Sequence, residues 1–223
     1  MAYKEFDDKV AKVFERINNS SSENQFGIND NDIALLQYFI GLMYWRIPSN
    51  YEEIKDIVSK KELKALGLKI LNKNDDVIYD SDLEYRLKND ENFIKSMKFW
   101  FANISYPELF SCNTPLHIVP FPKGLPSICS DNPIVCRNPK TFRVYTDDYI
   151  FPLNCNLLFI RGRERAECMT SVKVEIDLLI YKQALKYVSC TDIKYLEMLD
   201  GLYEKYNNNL DFVRASIFNQ LLK

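Results

Sequence analysis

Two short apolar runs flank a polar corner in the stretch Pro126-Ser127-Ile128-Cys129-Ser130-Asp131-Asn132-Pro133-Ile134-Val135. Side chains of Asp and Asn accept hydrogen bonds from backbone N–H groups two residues further on, and proline fixes φ at a value that turns use. The stretch therefore predicts two short strands joined by a tight corner, Ser130-Asp131-Asn132-Pro133, which we call the SDNP corner.

Short β-type runs continue on either side of the SDNP corner. Prolines recur at 107, 115, 120, 122 and 126, and they exclude long helices because a helix interior does not tolerate proline. The runs between and after them are rich in β-branched and aromatic residues, which favour strands. We predict strands at 116–121, 127–129, 134–136, 142–145, 149–153, 157–161 and 172–176.

Outside this region, apolar residues recur at the three- and four-residue spacing of amphipathic helices. We predict helices at 3–18, 30–46, 50–58, 59–67, 82–103, 177–187, 191–206 and 210–222. The order of helices, strands and helices indicates an α+β fold. We expect one domain, 1–223, that is helical at 1–105, strand-rich at 106–176 and helical at 177–223. Helices from both ends of the chain should pack on one face of a central, mostly antiparallel sheet of short strands.

The composition excludes several classes of protein. Only 6 glycines occur, and neither G-x-G-x-x-G nor G-x-x-x-x-G-K is present, so the phosphate loops of Rossmann and P-loop proteins are missing. A formal net charge of −2 gives no general attraction to nucleic acid or to an anionic membrane. No apolar run approaches the roughly 18 residues that cross a bilayer, so we predict no membrane association.

The cysteines do not form a recognisable metal or redox site. No C-x-x-C occurs, and the chain has 1 histidine, so neither a zinc site nor a thioredoxin-like site is predicted. Unpaired thiols without a signal peptide favour a reducing compartment, and we therefore predict a cytoplasmic protein. The cysteines stand at 112, 129, 136, 155, 168 and 190.

Three signatures follow one another along the chain. Arg46-Ile47-Pro48 ends an apolar helix, the SDNP corner follows an apolar strand, and Phe151-Pro152-Leu153 precedes a second apolar strand. In this order and spacing they resemble the domain of unknown function family numbered 4238, which is found widely in bacteria. The resemblance covers approximately residues 5–205, and it implies a related fold but no known reaction.

That family usually begins with a segment that bears an H-x-V-P motif, which the N-terminus of this chain does not carry. His117-Ile118-Val119-Pro120 is similar, but it lies elsewhere in the chain, and we transfer no role to it. The chain can therefore be a complete member, a fragment or one part of a split protein.

The SDNP corner has two interpretations. In the first, Ser130, Asp131 and Asn132 bond to backbone groups, and the corner is a structural turn. In the second, Asp131 and Asn132 present oxygen ligands to a hard cation or to a ribose-like hydroxyl. Ser130, Asp131 and Asn132 are therefore candidates either for a focal structural role or for binding.

A metal site would need further carboxylates. Asp147 and Asp148 are one source, although a turn explains them equally well. Glu175 and Asp177 are another, because they share one face of the strand predicted at 172–176. The chain lacks the dense Asp, Glu and His pattern of metal centres, so we assign no metal, and the cofactor is unknown.

Arg46 follows a helix that is apolar on nearly all faces. A guanidinium drawn toward a core needs a carboxylate or several carbonyl groups as partners. We predict that Arg46 pairs with Asp131 or with carbonyls at the SDNP corner. The alternative is that its side chain reaches solvent at the end of the helix.

Basic residues alternate with aromatic ones between 137 and 165. Phosphates and stacked bases of single-stranded nucleic acid bind such surfaces, and a solvated strand face has the same composition. The candidate contacts to nucleic acid are Arg161, Arg163 and Arg165.

Our leading hypothesis is a cytoplasmic binding or protein-interaction module with the SDNP corner as its focal element, acting on a protein partner or by self-association. The first alternative is a metal-dependent nuclease or phosphohydrolase in bacterial defence. The second is a protein that binds single-stranded nucleic acid through residues 137–165. The sequence does not identify a substrate, a partner, a catalysed reaction or an oligomeric state.

Overall fold

The computed structural model describes residues 2–20, 27–105, 115–120, 124–162 and 169–222. The chain divides into two compact units. The sheet unit comprises Met1–Ile40 with Cys112–Lys223, and the helical unit comprises Gly41–Ser111. The expectation of a single domain over 1–223 stays a prediction.

The helices and strands follow the expected order only in part, because three short strands were not predicted: Ile70–Leu71, Val77–Ile78 and Val188–Cys190. The α-helices are α1 (Ala2–Asn19), α2 (Asp30–Arg46), α3 (Tyr51–Lys60), α4 (Ser81–Lys88), α5 (Glu91–Ser105), α6 (Thr170–Gln183), α7 (Ile193–Tyr206) and α8 (Leu210–Leu221). The strands are β1 (Ile70–Leu71), β2 (Val77–Ile78), β3 (Leu116–Pro120), β4 (Ile128–Ser130), β5 (Val135–Cys136), β6 (Tyr149–Asn154), β7 (Leu157–Arg161) and β8 (Val188–Cys190).

The main sheet of the sheet unit has the strand order β3-β7-β6-β5. Every neighbouring pair in it is antiparallel, and Phe159 of β7 lies opposite both Ile118 of β3 and Phe151 of β6. A separate antiparallel pair joins β4 to β8. These short antiparallel strands among helices confirm the α+β fold class.

Helices cover the main sheet on both faces. On one face, Leu158 and Ile160 belong to an aliphatic core with Ile176 of α6, Leu199 of α7 and Ile217 of α8. Because side chains alternate along a strand, Phe151 and its neighbour Phe159 face the opposite side of the sheet. There the ring of Phe151 lies 6.5 Å from the ring of Phe39 in α2, which lies 5.7 Å from the ring of Phe14 in α1. The expectation that helices pack on one face only was wrong.

Several elements predicted from the sequence were wrong, among them the helix at 59–67, where α3 ends at Lys60 and Leu63–Leu66 form a 3₁₀ helix. Residues 172–176 belong to α6, where Val172 and Ile176 are buried one helical turn apart. Residues 142–145 belong to a loop with a turn at 144–146, and the Asp147 carboxylate accepts a hydrogen bond from the Arg143 N–H at 2.9 Å. The helix expected at 82–103 is two helices, since Asp90 accepts hydrogen bonds from the N–H groups of Asn92 and Phe93 and starts α5.

The helical unit has its own apolar centre. Ile54 of α3 and Met97 of α5 are buried, and the ring of Trp45 lies 5.0 Å from the ring of Phe101. Nε1 of Trp100 donates a hydrogen bond to the carbonyl oxygen of Leu66 at 2.7 Å. Among the helices in the described part of the chain, none is both long and apolar enough to span a membrane.

Candidate functional site

The SDNP corner begins at the end of β4, and its side chains bond to the end of α6. Oγ of Ser130 accepts a hydrogen bond from the Asn132 N–H at 3.1 Å. Nδ2 of Asn132 donates to the Gln183 carbonyl oxygen at 3.1 Å. Nε2 of Gln183 donates in return to the carbonyl oxygens of Asn132 at 2.7 Å and Ile134 at 2.9 Å. Because Gln183 is the last residue of α6, the corner fixes the position of that helix end.

Asp131 uses both oxygens of its carboxylate on backbone groups. Oδ1 accepts a hydrogen bond from the Leu185 N–H and Oδ2 accepts one from the Lys186 N–H, each at 2.9 Å. Both amides belong to residues 184–187, which connect α6 to β8 and which we call the α6–β8 turn. β8 then pairs with β4, so that Val188 lies opposite Ser130. This arrangement favours the structural interpretation of the corner.

Arg46 and Asp131 each have contacts other than the predicted ion pair. The Asp131 carboxylate is bound by the two backbone amides. The guanidinium carbon of Arg46 lies 5.1 Å from the ring centroid of Phe99, and Arg46 is exposed at the end of α2. This cation–π contact lies within the helical unit, and the pairing of Arg46 with Asp131 stays a prediction.

Glu175 and Asp177 do not form the carboxylate pair expected from a strand. Both lie in α6, where residues two positions apart are separated by about 200° around the helix axis. Asp177 is 1% exposed, and Glu175 is half-buried on another side. Burial raises the pKa of Glu175, whose Oε2 has no hydrogen-bond partner among the described residues. The two carboxylates therefore cannot act together on one metal ion.

Asp177 belongs instead to a buried cluster of three polar side chains. Its Oδ2 accepts hydrogen bonds from Nζ of Lys173 and, at 2.7 Å, from the hydroxyl of Tyr195 in α7. Nζ of Lys173 also lies 3.5 Å from the carbonyl oxygen of Pro126, just before β4. Burial raises the pKa of Asp177, and the contacts with Lys173 and Tyr195 oppose that change. The cluster connects α6 with α7 and with the entry to β4.

The carboxylates expected at a metal site have contacts within the protein. Within the ranges that the structure describes, no three His, Cys, Asp or Glu side chains are arranged to hold a metal ion. The carboxylate of Asp147 is bound to the Arg143 N–H, and that of Asp148 lies 3.0 Å from Nη1 of Arg137. These contacts fit turn formation, the alternative interpretation of this pair.

The candidate contacts to nucleic acid are not brought together on a described surface. Arg161 is 1% exposed and lies opposite Tyr149 in the main sheet. A side chain at this depth does not reach a phosphate backbone at the surface, so its burial argues against that role. Arg163 and Arg165 lie outside the described residues.

The sequence analysis missed Lys173, Gln183 and Tyr195 as members of these polar clusters. Lys173 and Asp177 have the four-residue spacing of facing side chains on a helix, which would have identified them if 172–176 had been assigned to a helix. Gln183 and Tyr195 gave no such signal, because their partners lie far away along the chain.

The buried cluster gives a stability prediction. Asp177→Leu leaves the Lys173 ammonium buried without its carboxylate, and we expect it to lower the free energy of unfolding by about 3–5 kcal/mol. Replacing both charges in Lys173→Met/Asp177→Leu should recover most of that loss. Urea unfolding of the three proteins measures the difference.

The matched control for this prediction is the exposed pair formed by Asp56 and Lys60, also four residues apart, at 2.7 Å. Asp56→Leu should change the free energy of unfolding by less than about 1 kcal/mol, because exposed ion pairs contribute little. A double variant as unstable as Asp177→Leu alone would contradict our account of the cluster.

Glu175 gives a prediction on pH. Because burial raises its pKa above the ordinary 4.5, the folded state favours the neutral side chain, and stability is lost as the pH rises through the folded-state pKa. Glu175→Gln should therefore raise Tm at about pH 7, and the gain should disappear at about pH 4. Thermal unfolding measures both, with the exposed Glu204→Gln as the control. An equal gain at both pH values would contradict the assignment.

Among known proteins, the chain matches a family model. No curated protein and no solved structure matches it. The profile of the family described as "Protein of unknown function (DUF4238)" matches residues 1–187, which contain the SDNP corner and the α6–β8 turn. Because the match spans more than half of the sequence, this chain belongs to the DUF4238 family.

Proposed function

We propose that this protein is a binding module that recognises a segment of a protein partner through the α6–β8 turn. The observation that carries the proposal is the bond of the Asp131 carboxylate to the Leu185 and Lys186 amides. It fixes the backbone of the turn, whereas Leu185 is 51% exposed and Tyr187 is 61% exposed. Apolar side chains on a backbone that is already ordered lose less entropy on binding.

A groove beside the turn supports this proposal. It has a volume of about 570 Å³, and the end of α6, the α6–β8 turn and the start of β8 line one side while α7 lines the other. Concave surfaces of several hundred Å³ are typical of binding sites. Residues from both walls, Leu185, Tyr187 and Leu196 among them, give part of the groove an apolar lining.

The charges of the groove indicate the chemistry of the partner segment. Lys186 stands on the turn side and Glu197 on the α7 side. Four further polar residues of the lining bond to one another in two pairs. The Tyr181 hydroxyl donates to Asp200 at 2.9 Å, and Nζ of Lys182 donates to the Tyr203 hydroxyl. The segment that fits carries an apolar anchor with an acidic residue toward Lys186 and a basic residue toward Glu197.

Selection from a displayed peptide library tests this function. We expect wild-type protein to enrich peptides with an aromatic or aliphatic anchor between charges of opposite sign. Affinity for the enriched peptides should fall at least tenfold in Tyr187→Ser. This variant removes an exposed aromatic side chain and leaves the bonds of Asp131 to the turn in place. The fall should be similar in Asp131→Ala, which frees the turn.

The control is Tyr85→Ser, because Tyr85 is an exposed aromatic residue of the helical unit and does not line the groove. It should leave the affinity unchanged. No enrichment, or peptides that bind Tyr187→Ser as tightly as wild type, would contradict the proposed function.

A further inference from the structure

A second cavity, of about 560 Å³, lies between the turn at 138–141 and α8. It shares no lining residue with the groove at the α6–β8 turn. The turn contributes Lys140 and Thr141, α8 contributes Asp211 and Arg214, and Arg137 stands at the end of β5. Most of the charge in this lining is therefore positive, although the net charge of the chain is −2.

Two arginines of the cavity are fixed by reciprocal bonds between the sheet and α8. Nη1 of Arg214, from α8, donates to the carbonyl oxygen of Cys136 in β5 at 2.6 Å. Nη2 of Arg137, from the sheet side, donates to the carbonyl oxygen of Phe218 in α8 at 3.3 Å. The guanidinium carbon of Arg137 also lies 5.4 Å from the ring centroid of Phe218. Both guanidinium groups are thus positioned before any ligand binds.

The positive charge of this lining is only partly neutralised by protein groups. Asp148 pairs with Arg137 at 3.0 Å, and Asp211 is the acidic residue of the lining. Nε of Arg214 is buried and has no hydrogen-bond partner among the described residues. Burial also lowers the pKa of Arg214, and Cys136 and Asp211 oppose that change. An anion in the cavity would supply the missing compensation.

The chemistry of the donors favours a phosphate group. A guanidinium presents several N–H donors in a rigid fork that matches phosphate oxygens, and a lysine adds a compact charge. A phosphate monoester offers three acceptor oxygens with nearly two negative charges, which suits an arginine and a lysine. The cavity is also lined by Pro139, Ala215 and Phe218, which give an organic group apolar surface.

We propose that the cavity between the 138–141 turn and α8 binds a small organic phosphate, with Arg214 and Lys140 as its principal contacts. Arg137 is a positioning residue, because its guanidinium is held by Asp148 and by the Phe218 carbonyl. This binding site is independent of the partner groove, and neither requires the other.

Titration by NMR with phenyl phosphate, inorganic phosphate and benzoate tests the proposal. We expect saturable binding of both phosphates, with the largest shifts at the amides of 138–141 and 214–219, and weaker binding of benzoate. Lys140→Gln should weaken phenyl phosphate binding at least fivefold without loss of folding, because Lys140 is exposed. Arg214→Lys keeps the charge but removes the guanidinium fork, and it should weaken binding as well.

The matched control is Lys60→Gln, which removes an exposed lysine that does not line the cavity and should leave phosphate binding unchanged. The proposal is overturned if no saturable binding occurs at millimolar phosphate, if the shifts map elsewhere, or if Lys140→Gln binds as wild type does. Benzoate that binds as tightly as phenyl phosphate would overturn the choice of phosphate over carboxylate.

Discussion

The two hydrogen bonds from backbone amides to the Asp131 carboxylate hold the α6–β8 turn in place. Hydrogen bonds to a charged acceptor are stronger than neutral ones, with net contributions of about 1.5–3 kcal/mol each. Because β8 returns from this turn to pair with β4, the position of the turn also sets the register in which Ser130 lies opposite Val188. Exposed side chains in the turn are thereby presented on a fixed backbone.

The packing of α6 restricts its position at a second place, away from the SDNP corner. Its apolar side belongs to the aliphatic core on the main sheet, and the same helix buries Lys173 and Asp177. Buried charges require well-aligned partners, which here are the Tyr195 hydroxyl and the carbonyl of Pro126. The polar cluster and the SDNP corner thus fix α6 relative to the stretch 126–135 at two places along the helix.

Much of the fold followed from the sequence, because long periodic segments and proline-bounded runs are strong signals. The bounds of β7 and the last residue of α2 were predicted to the residue. The strand expected at 172–176 failed because alternation over five residues also fits one turn of a buried helix. The partners of Asp131 could not be predicted, because they are backbone amides 54 and 55 positions away. Almost every residue has such an amide, so the residue types at 185 and 186 do not indicate the bond.

Amide hydrogen exchange at the α6–β8 turn tests our central claim most directly, namely that Asp131 orders this turn. The N–H groups of Leu185 and Lys186 should exchange slowly in wild type and at an unprotected rate in Asp131→Ala. The Ala184 N–H, which bonds to the carbonyl oxygen of Ile180 at 3.2 Å, should stay protected in both and serves as the internal reference. Equal exchange at Leu185 and Lys186 in the two proteins would contradict the account.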